Sequence, residues 1–475
     1  MEKVFKSGLI RNRNLEQLNQ ETVWDVVIIG GGSTGSAIAL DSVSRGFKTL
    51  LVNSGDFASG SSGSSTKLIM TGPSCLKGLK EWKQLREDLE ERKYLLANAP
   101  HLVKEKNFVI PCYKGSTLAF YYFTLLAGLA AGYGGYGMGR PLYLRPEEVI
   151  RKLPDVKAKE LVGGVQFKAV QFDDARLNIA LIKTAAKQGA VCLNYVSAKG
   201  LVRDADGRIQ SVFLEDQLTG QSFRANCKMI FNAAGEGADT VRQMAYAEAA
   251  PLTEVKKFTC MVMEARHFEG EYGMLTPKAK GEQRLFCAPW NRMAEVGVVE
   301  EKEGEDSGAA VTRLIEKIKP FLEFSIDRNN VTASFSHTVV TPKKDFGRGQ
   351  EGSNSLILTE FENMVTVVGG GWKNYRQRAE KAMTAAIDAG LVYKKPCSTM
   401  FMSIARNHHF DPEALDKGLA DGKDVTAQVV EYAQYCLEHE FASCADDVLF
   451  RRLRIGQMSA AVTEKLRPEV EKVFA

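Results

Sequence analysis

The sequence predicts an α/β protein built from a doubly wound nucleotide-type domain, an antiparallel-sheet domain and a C-terminal helical cap. Three observations predict it. An apolar, β-branched run near the N-terminus closes on a glycine turn and a helix-spaced stretch, strands alternate between Phe258 and Val299, and Thr426 to Ala475 reads as helical throughout.

The elements follow in order. Trp24 to Gly30 (WDVVIIG), then Ser36 to Ser44 with helical spacing, then the apolar run Thr49 to Val52 form a βαβ unit that opens a Rossmann-like sheet. Lys77 to Leu96 sets Leu79, Trp82, Leu85, Leu89 and Leu96 near one helical face with charged residues between them, which is an amphipathic helix. Leu177 to Gly189 is a helix that runs into a strand at Val191 to Tyr195. Gly200 to Phe223 carries hairpin chemistry, with Asp206-Gly207 and Thr219-Gly220 as turns. Met229 to Gly235 (MIFNAAG) is a buried strand ending in small residues, and Val365 to Gly371 (VTVVGGG) returns to the nucleotide sheet. The expected division is an N-terminal arm at 1–20, a nucleotide domain at 21–110, 170–255 and 355–385, a substrate-type domain at 111–169 and 256–354, and helices at 386–475.

Composition bounds the function. With 475 residues, 44% of them hydrophobic and 25% charged, the chain can bury a large core. Its 62 Lys and Arg against 58 Asp and Glu form no basic block, which argues against a nucleic-acid partner. The nine cysteines show no CxxC pair and no repeated spacing, so neither a metal site nor a disulfide framework is expected, and they read as buried thiols in a reducing compartment. Met1 to Asn14 carries Lys3, Lys6, Arg11 and Arg13 against Glu2, which suits a mitochondrial targeting segment and a solvated arm equally.

The stretch Gly115 to Gly139 has no charged residue. Its length permits a membrane span while its glycines disfavour a continuous helix, so a span, a membrane-surface or partner-facing patch, and buried fold all stay open. Phe120, Tyr121, Tyr122, Phe123, Leu125 and Leu126 cluster within it, as side chains do at interface centres.

Gly30-Gly31-Gly32-Ser33-Thr34-Gly35 fits GxGxxG directly after the first strand. Gly30 permits the tight turn, Gly32 lets backbone approach a pyrophosphate, and Gly35 lets the helix pack on the strand, with the helix N-terminus facing the phosphate charge. The second strand should end in an acid for the ribose hydroxyls. It ends in Asn53, which lacks the charge, so weaker adenosine binding is expected.

Gly55 to Lys67 (GDFASGSSGSSTK), Leu68-Ile69, Asn98 to Leu102, Phe172 to Ala180 (FDDARLNIA), Asn232 to Gly235, Gly369 to Arg376 (GGGWKNYR) and His439 to Gly456 together resemble the FAD-dependent glycerol-3-phosphate dehydrogenases and oxidases. The resemblance runs from about Trp24 to Gly456. It implies FAD with its pyrophosphate on Gly30, Gly32, Ser33, Thr34 and Gly35, and a flavin lined by Ser59, Ser62, Ser65, Thr66 and Lys67. Asn53, Ser54, Ala234, Gly235 and Trp372 are also expected on the cofactor, with Gly369 and Gly370 approaching the isoalloxazine. In such a family, hydride leaves C2 of glycerol 3-phosphate for the flavin and electrons continue to quinone or oxygen.

That chemistry needs a base for the C2 hydroxyl and cations for a doubly charged phosphate. After the Lys-Leu-Ile step, family members carry a His, two glycines and an Arg-Tyr pair, where this chain has Met70, Ser74 and Cys75. The family's middle-domain His falls on Cys260, the arginine of its Gly-Val-Arg-Pro motif on Val339, and a later arginine near Ser353. Gly371 replaces a lysine, and Ala169-Val170 an Asp-Gly pair. His337 lies close enough to Val339 to be a substitute. Asp173, Asp174 and Arg176 are retained and read as groups that hold the helix start. Scaffold is kept and chemistry removed, so the expectation is a flavoprotein that has lost catalysis and serves as an accessory or structural subunit of a larger assembly, associated with the mitochondrial inner membrane. The alternatives are an active dehydrogenase passing electrons to quinone, and an FAD oxidoreductase for another small molecule.

Overall fold

The computed structural model describes residues 8–21, 23–70, 79–115, 141–264, 268, 270–277, 283–291, 293–344, 355–406 and 412–475. Ser74, Cys75, Ser353 and the uncharged run from 116 to 139 lie outside them.

The chain opens with α1 (Leu9–Gln20), β1 (Trp24–Ile29), α2 (Ser33–Ser44), β2 (Thr49–Asn53), β3 (Leu68–Ile69), α3 (Leu79–Asn98) and β4 (Val103–Tyr113). After β5 (Leu142–Leu144) and β6 (Leu161–Phe172) come the helix Asp174–Lys187, β7 (Val191–Asn194) and a meander of β8 (Val196–Arg203), β9 (Ile209–Asp216) and β10 (Ser222–Asn232). Next follow β11 (Thr253–Glu264), β12 (Gly273–Leu275), β13 (Phe286–Trp290), β14 (Met293–Glu300), the helix Ser307–Ile318 and β15 (Val331–Pro342). Finally β16 (Ser355–Glu360) and β17 (Met364–Gly369) lead to the helix Tyr375–Asp388 and the C-terminal helices.

These strands make two sheets. The first has eight strands in the path β16-β17-β10-β1-β2-β7, with β8 and β9 continuing from β10. Its β1 pairs are parallel on both sides, to β10 and to β2, so the strand order reverses around β1. Every residue of β1 is buried, because both faces are covered. Val26, Ile28 and Leu51 pack toward α2 and the helices Asp174–Lys187 and Tyr375–Asp388, while Val27, Ile29, Leu50 and Val52 pack toward α1 and the meander. That two-sided burial is why the run reads as continuously apolar.

The second sheet has nine strands in the path β15-β11-β14-β13-β12-β4-β6-β3, with β5 beside β6. Its pairs are antiparallel apart from β12 with β4. β3 and β4, expected within the first unit, pair into this sheet, because β3 takes its partner from β6 across the chain. The Asp206-Gly207 and Thr219-Gly220 turns stand where expected, each with a left-handed glycine.

Two expectations are corrected. The residues of α1 are not a solvated arm: Arg11 is buried, pairs with Asp216 at 2.8 Å and donates to the Asn194 carbonyl at 3.1 Å, and Leu18 joins the core. A leader charge in the sequence is thus the partner of a buried carboxylate. The C-terminal region is not helical throughout either. Thr426–His439 stops before an inward-turned Glu440, Asp447–Arg452 is a π-helix, and Arg454 is left-handed (φ 65°) ahead of the short helix Ile455–Met458 and the helix Ala460–Phe474.

Buried ion pairs explain those breaks. Glu440 accepts from Arg176 at 2.5 and 3.0 Å and from Lys183 at 3.0 Å. Asp56, just after β2, pairs with Arg451 and Arg452, and Asp174 with Arg454. The cap is therefore clamped to the first sheet beside its strand ends. Asp173 caps its helix by accepting from the Arg176 N–H at 3.1 Å, as the sequence suggested. Cys112, Cys192, Cys227, Cys260, Cys287 and Cys436 are buried thiols, and Cys397 and Cys444 half-buried ones. Among the described residues no helix is long and apolar enough to cross a membrane, and no cluster of metal-ligating side chains occurs.

Candidate functional site: a dinucleotide cleft

A cleft of about 760 Å³ opens where β1, β2, β10 and β17 end, which is where doubly wound sheets bind ligands. Gly30, Gly32, Ser33, Thr34, Asn53 and Ser54 line one part, and Ser59, Ser62, Ser65 and Thr66 another. Ala234, Gly235, Gly369, Gly370 and Trp372 complete the opposing wall. The structure thus brings these sequence-predicted residues together.

Local geometry explains the glycines. Gly30 has φ 110°, and a Cβ there would stand 2.3 Å from the Ala233 carbonyl oxygen. A Cβ on Gly35 would stand 1.8 Å from the Gly30 oxygen, so only glycine lets α2 sit this close to β1. Gly35 packs rather than lines. The Ser33 N–H donates to the Ser62 hydroxyl at 2.8 Å, which fixes the serine loop against the start of α2, and the helix N-terminus faces the cleft. Ser65 is held by donating from its N–H and its hydroxyl to Asp174, both at 2.7 Å. Trp372 donates to the Ser62 carbonyl at 3.0 Å and packs edge-on against Phe172.

Asn53 does something other than expected. Its Oδ1 accepts the Gly31 N–H at 2.8 Å, and its Nδ2 donates to the carbonyls of Gly55 and Asp56 at 3.0 and 2.9 Å. The side chain braces the two loops of the cleft, and an acid could not make both donations. Asn53→Asp is therefore expected to lose about 1–3 kcal/mol of stability through the opposed oxygens. Chemical denaturation checks this; a variant as stable as the parent would contradict the bracing role.

Lys67 also departs from expectation. Its side chain is fully buried away from the cleft wall, with Nζ 3.1 Å from the Ser65 carbonyl and 3.6 Å from Glu295, over the rings of Trp290 and Phe335 at 4.9 and 4.3 Å. The left-handed backbone at Lys67 (φ 53°) accompanies this placement, and Glu295 and the aromatic faces hold the ammonium under the second sheet. Burial lowers the Lys67 pKa and pushes Glu295 up to about 7.

The degenerate positions divide. Met70 and Val339 line the cleft, whereas Cys260 is fully buried in β11 with its thiol pushed well up by burial. His337 lines the cleft, lies stacked on Phe258 with ring centroids 5.5 Å apart, and its Nδ1 meets no hydrogen-bond partner among the described residues. Burial, with the nearby Lys67 charge, lowers it to about 4. Charged side chains on the described wall are Glu236 and Lys373, and Lys373 is paired with Asp88 at 2.7 Å.

Sequence reading missed one feature. The Ser61 and Thr338 hydroxyls meet at 2.8 Å, and Thr338 also bonds the Glu236 carboxylate, so the serine loop, β15 and the turn after β10 are bridged across the cleft. These partners stand 277 and 102 positions apart, and no local pattern signals them.

Comparisons agree with this geometry. The family described as FAD dependent oxidoreductase matches residues 25–372. The mitochondrial glycerol-3-phosphate dehydrogenase of Arabidopsis thaliana is 30% identical over 459 residues, covering 89% of this chain and 72% of the relative. The one from Macaca fascicularis is 29% identical over 423 residues, covering 85% of this chain and 58% of the relative. The chain thus spans little more than half the length of that relative. A Bacillus halodurans glycerol-3-phosphate dehydrogenase solved with FAD superposes with a TM-score of 0.77 at 21% identity, covering 98% of this chain and 92% of that one. The glycine cradle, the cleft volume and the cleft-facing helix end fit such a cofactor.

Proposed function

The chain belongs to the FAD-dependent oxidoreductases and, within them, to the glycerol-3-phosphate dehydrogenase family, and from that premise we propose that it holds FAD without oxidising glycerol 3-phosphate. It serves instead as an accessory subunit of a larger assembly at the mitochondrial inner membrane.

FAD, when bound, supplies a two-electron acceptor. Gly30, Gly32, Ser33 and Thr34 would hold its pyrophosphate at the start of α2, and Ser59, Ser62, Ser65, Thr66, Gly369 and Gly370 would flank the remainder. A glycerol 3-phosphate dianion needs cations, yet on the described cleft wall Glu236 has the wrong sign and Lys373 is committed to Asp88. Met70 and Val339 add apolar surface where a base and an arginine would stand. Burial and the nearby Lys67 charge hold His337 at about 4, so it is neutral at about pH 7 and adds no positive charge for the phosphate. Losing one partner of a buried charged contact typically costs about 2–5 kcal/mol, so several absent cations remove the substrate's affinity.

The assembly role is supported by a scaffold kept without its chemistry and by apolar exposure. Val392, Tyr393 and Phe401 are 73, 58 and 82% exposed within ten residues. On composition alone, we place a second contact, to membrane or partner, in the uncharged run Gly115 to Gly139. The mitochondrial setting follows the relatives of Macaca fascicularis and Arabidopsis thaliana.

Calorimetric titration of the FAD-loaded protein with glycerol 3-phosphate is expected to give no saturable binding. A dissociation constant within the ordinary enzyme range of roughly 1 μM to 1 mM would overturn the reading.

A further inference from the structure

Arg378, in the first turn of the helix Tyr375–Asp388, is 2% exposed, and its hydrogen bonds among the described residues go to neutral oxygens alone. Nε donates to the Thr34 hydroxyl at 3.2 Å, and Nη1 to the Gly371 carbonyl at 3.1 Å and Asn374 Oδ1 at 2.9 Å. Other buried arginines of this chain face carboxylates: Arg11 meets Asp216, Arg45 Asp41, Arg376 Glu91 and Arg452 Asp56. Arg378 does not. Burial lowers it to about 10, so it still carries its charge at neutral pH. A buried cation without a counter-ion is costly to hold and calls for an anion.

Its place says which one. Thr34, Gly371 and Asn374, the three acceptors, all line the cleft, so the guanidinium lies directly behind the wall at the N-terminus of α2. Room for it is built in, because a Cβ on Gly370 would stand 2.1 Å from Nη1. The bond to Thr34 also has a direction. Its oxygen accepts from Nε–H, which leaves the hydroxyl hydrogen to be donated, and a charged donor behind it polarises that O–H toward an acceptor-rich group.

We propose that Arg378 is the buried counter-charge of the FAD pyrophosphate and a positioning residue that acts through the Thr34 hydroxyl. The inference rests on FAD as cofactor and is independent of whether the chain oxidises glycerol 3-phosphate. FAD is stripped from the holoprotein and titrated back into the parent, Arg378→Met, Arg378→Lys, Thr34→Val and the Arg378→Met/Thr34→Val double variant, and the bound cofactor is followed by ³¹P NMR and visible absorbance. Arg378→Met keeps the volume without the charge. It should weaken FAD at least about tenfold, leave the FAD-free thermal midpoint unchanged or higher, and move the ³¹P resonances of bound FAD. Arg378→Lys should stay within about threefold of the parent. Thr34→Val should weaken FAD, and the double variant should lose less than the sum of the two singles, because the residues act as a unit. Parent-like affinity in Arg378→Met overturns the proposal. So does a lower FAD-free midpoint with unmoved ³¹P resonances, which marks a structural brace. A change confined to flavin absorbance assigns the charge to the isoalloxazine and equally overturns it. Should Arg378→Met fail to fold, Thr34→Val decides, since parent-like FAD affinity there removes the route by which Arg378 acts.

Discussion

Gly35→Val is expected to purify as a folded protein depleted in flavin. The added Cβ would stand 1.8 Å from the Gly30 carbonyl oxygen, and the neighbour is backbone, which cannot rotate aside. Either α2 lifts from β1 or the Gly30 to Thr34 turn shifts, and both carry the cleft-facing start of α2 out of place. Overpacking of this kind costs about 1–3 kcal/mol, which is roughly a ten- to hundredfold loss of FAD affinity if it falls on the bound state. Titrating FAD into the variant measures it. Gly200→Ala is the control, because its Cβ would meet the nearest atom at an ordinary 3.7 Å. Parent-like affinity in Gly35→Val would falsify the packing role of that glycine.

Glu440→Gln is expected to be the most destabilising conservative change in the cap. The carboxylate is fully buried and faces Arg176 and Lys183, so neutralising it strands two cations. Breaking a buried pair in this way typically costs about 3–5 kcal/mol. Burial alone would raise the Glu440 carboxyl, yet Arg176 and Lys183 outweigh it and hold the group well below its usual range. The sign of the pH effect follows. A carboxyl whose folded pKa is depressed contributes its stability above the unfolded value of about 4.3 and loses it as pH falls through the folded value. Parent stability should therefore drop with acidification below about pH 4.3, and Glu440→Gln should drop less steeply there. Urea midpoints across that window test it, and equal slopes in parent and variant would contradict the assignment.

Much of the fold was legible because the first sheet is regular at short range. β1, α2 and β2 announce themselves through a buried run, a glycine turn and helical spacing, and the turns at Gly207 and Gly220 need their glycines. The cap was less legible: Arg451, Arg452 and Arg454 look like surface charges, and their partners Asp56 and Asp174 stand nearly four hundred and about three hundred residues away. The cleft residues were readable where backbone geometry demands a residue type, as at Gly30 and Gly370. Lys67 was not, since a buried acid on the distant strand β14 draws its side chain inward; Asn53 was placed at the cleft, but its bracing of the Gly31 N–H and of the nearby Gly55 and Asp56 carbonyls is not marked by any pattern. Met70 and Val339 are informative as residue types missing a charge, which is why resemblance reached them and periodicity did not.

We propose an intact cofactor site beside lost chemistry, and that pairing makes a sharp forecast. Anaerobic mixing of the FAD-loaded protein with glycerol 3-phosphate, followed by flavin absorbance, decides it. The oxidised flavin spectrum is expected to persist, and dithionite added afterwards should bleach it, showing that the flavin is competent. Bleaching by glycerol 3-phosphate itself, at the roughly 1 to 1000 per second of ordinary enzymes, would show that the chain oxidises this substrate.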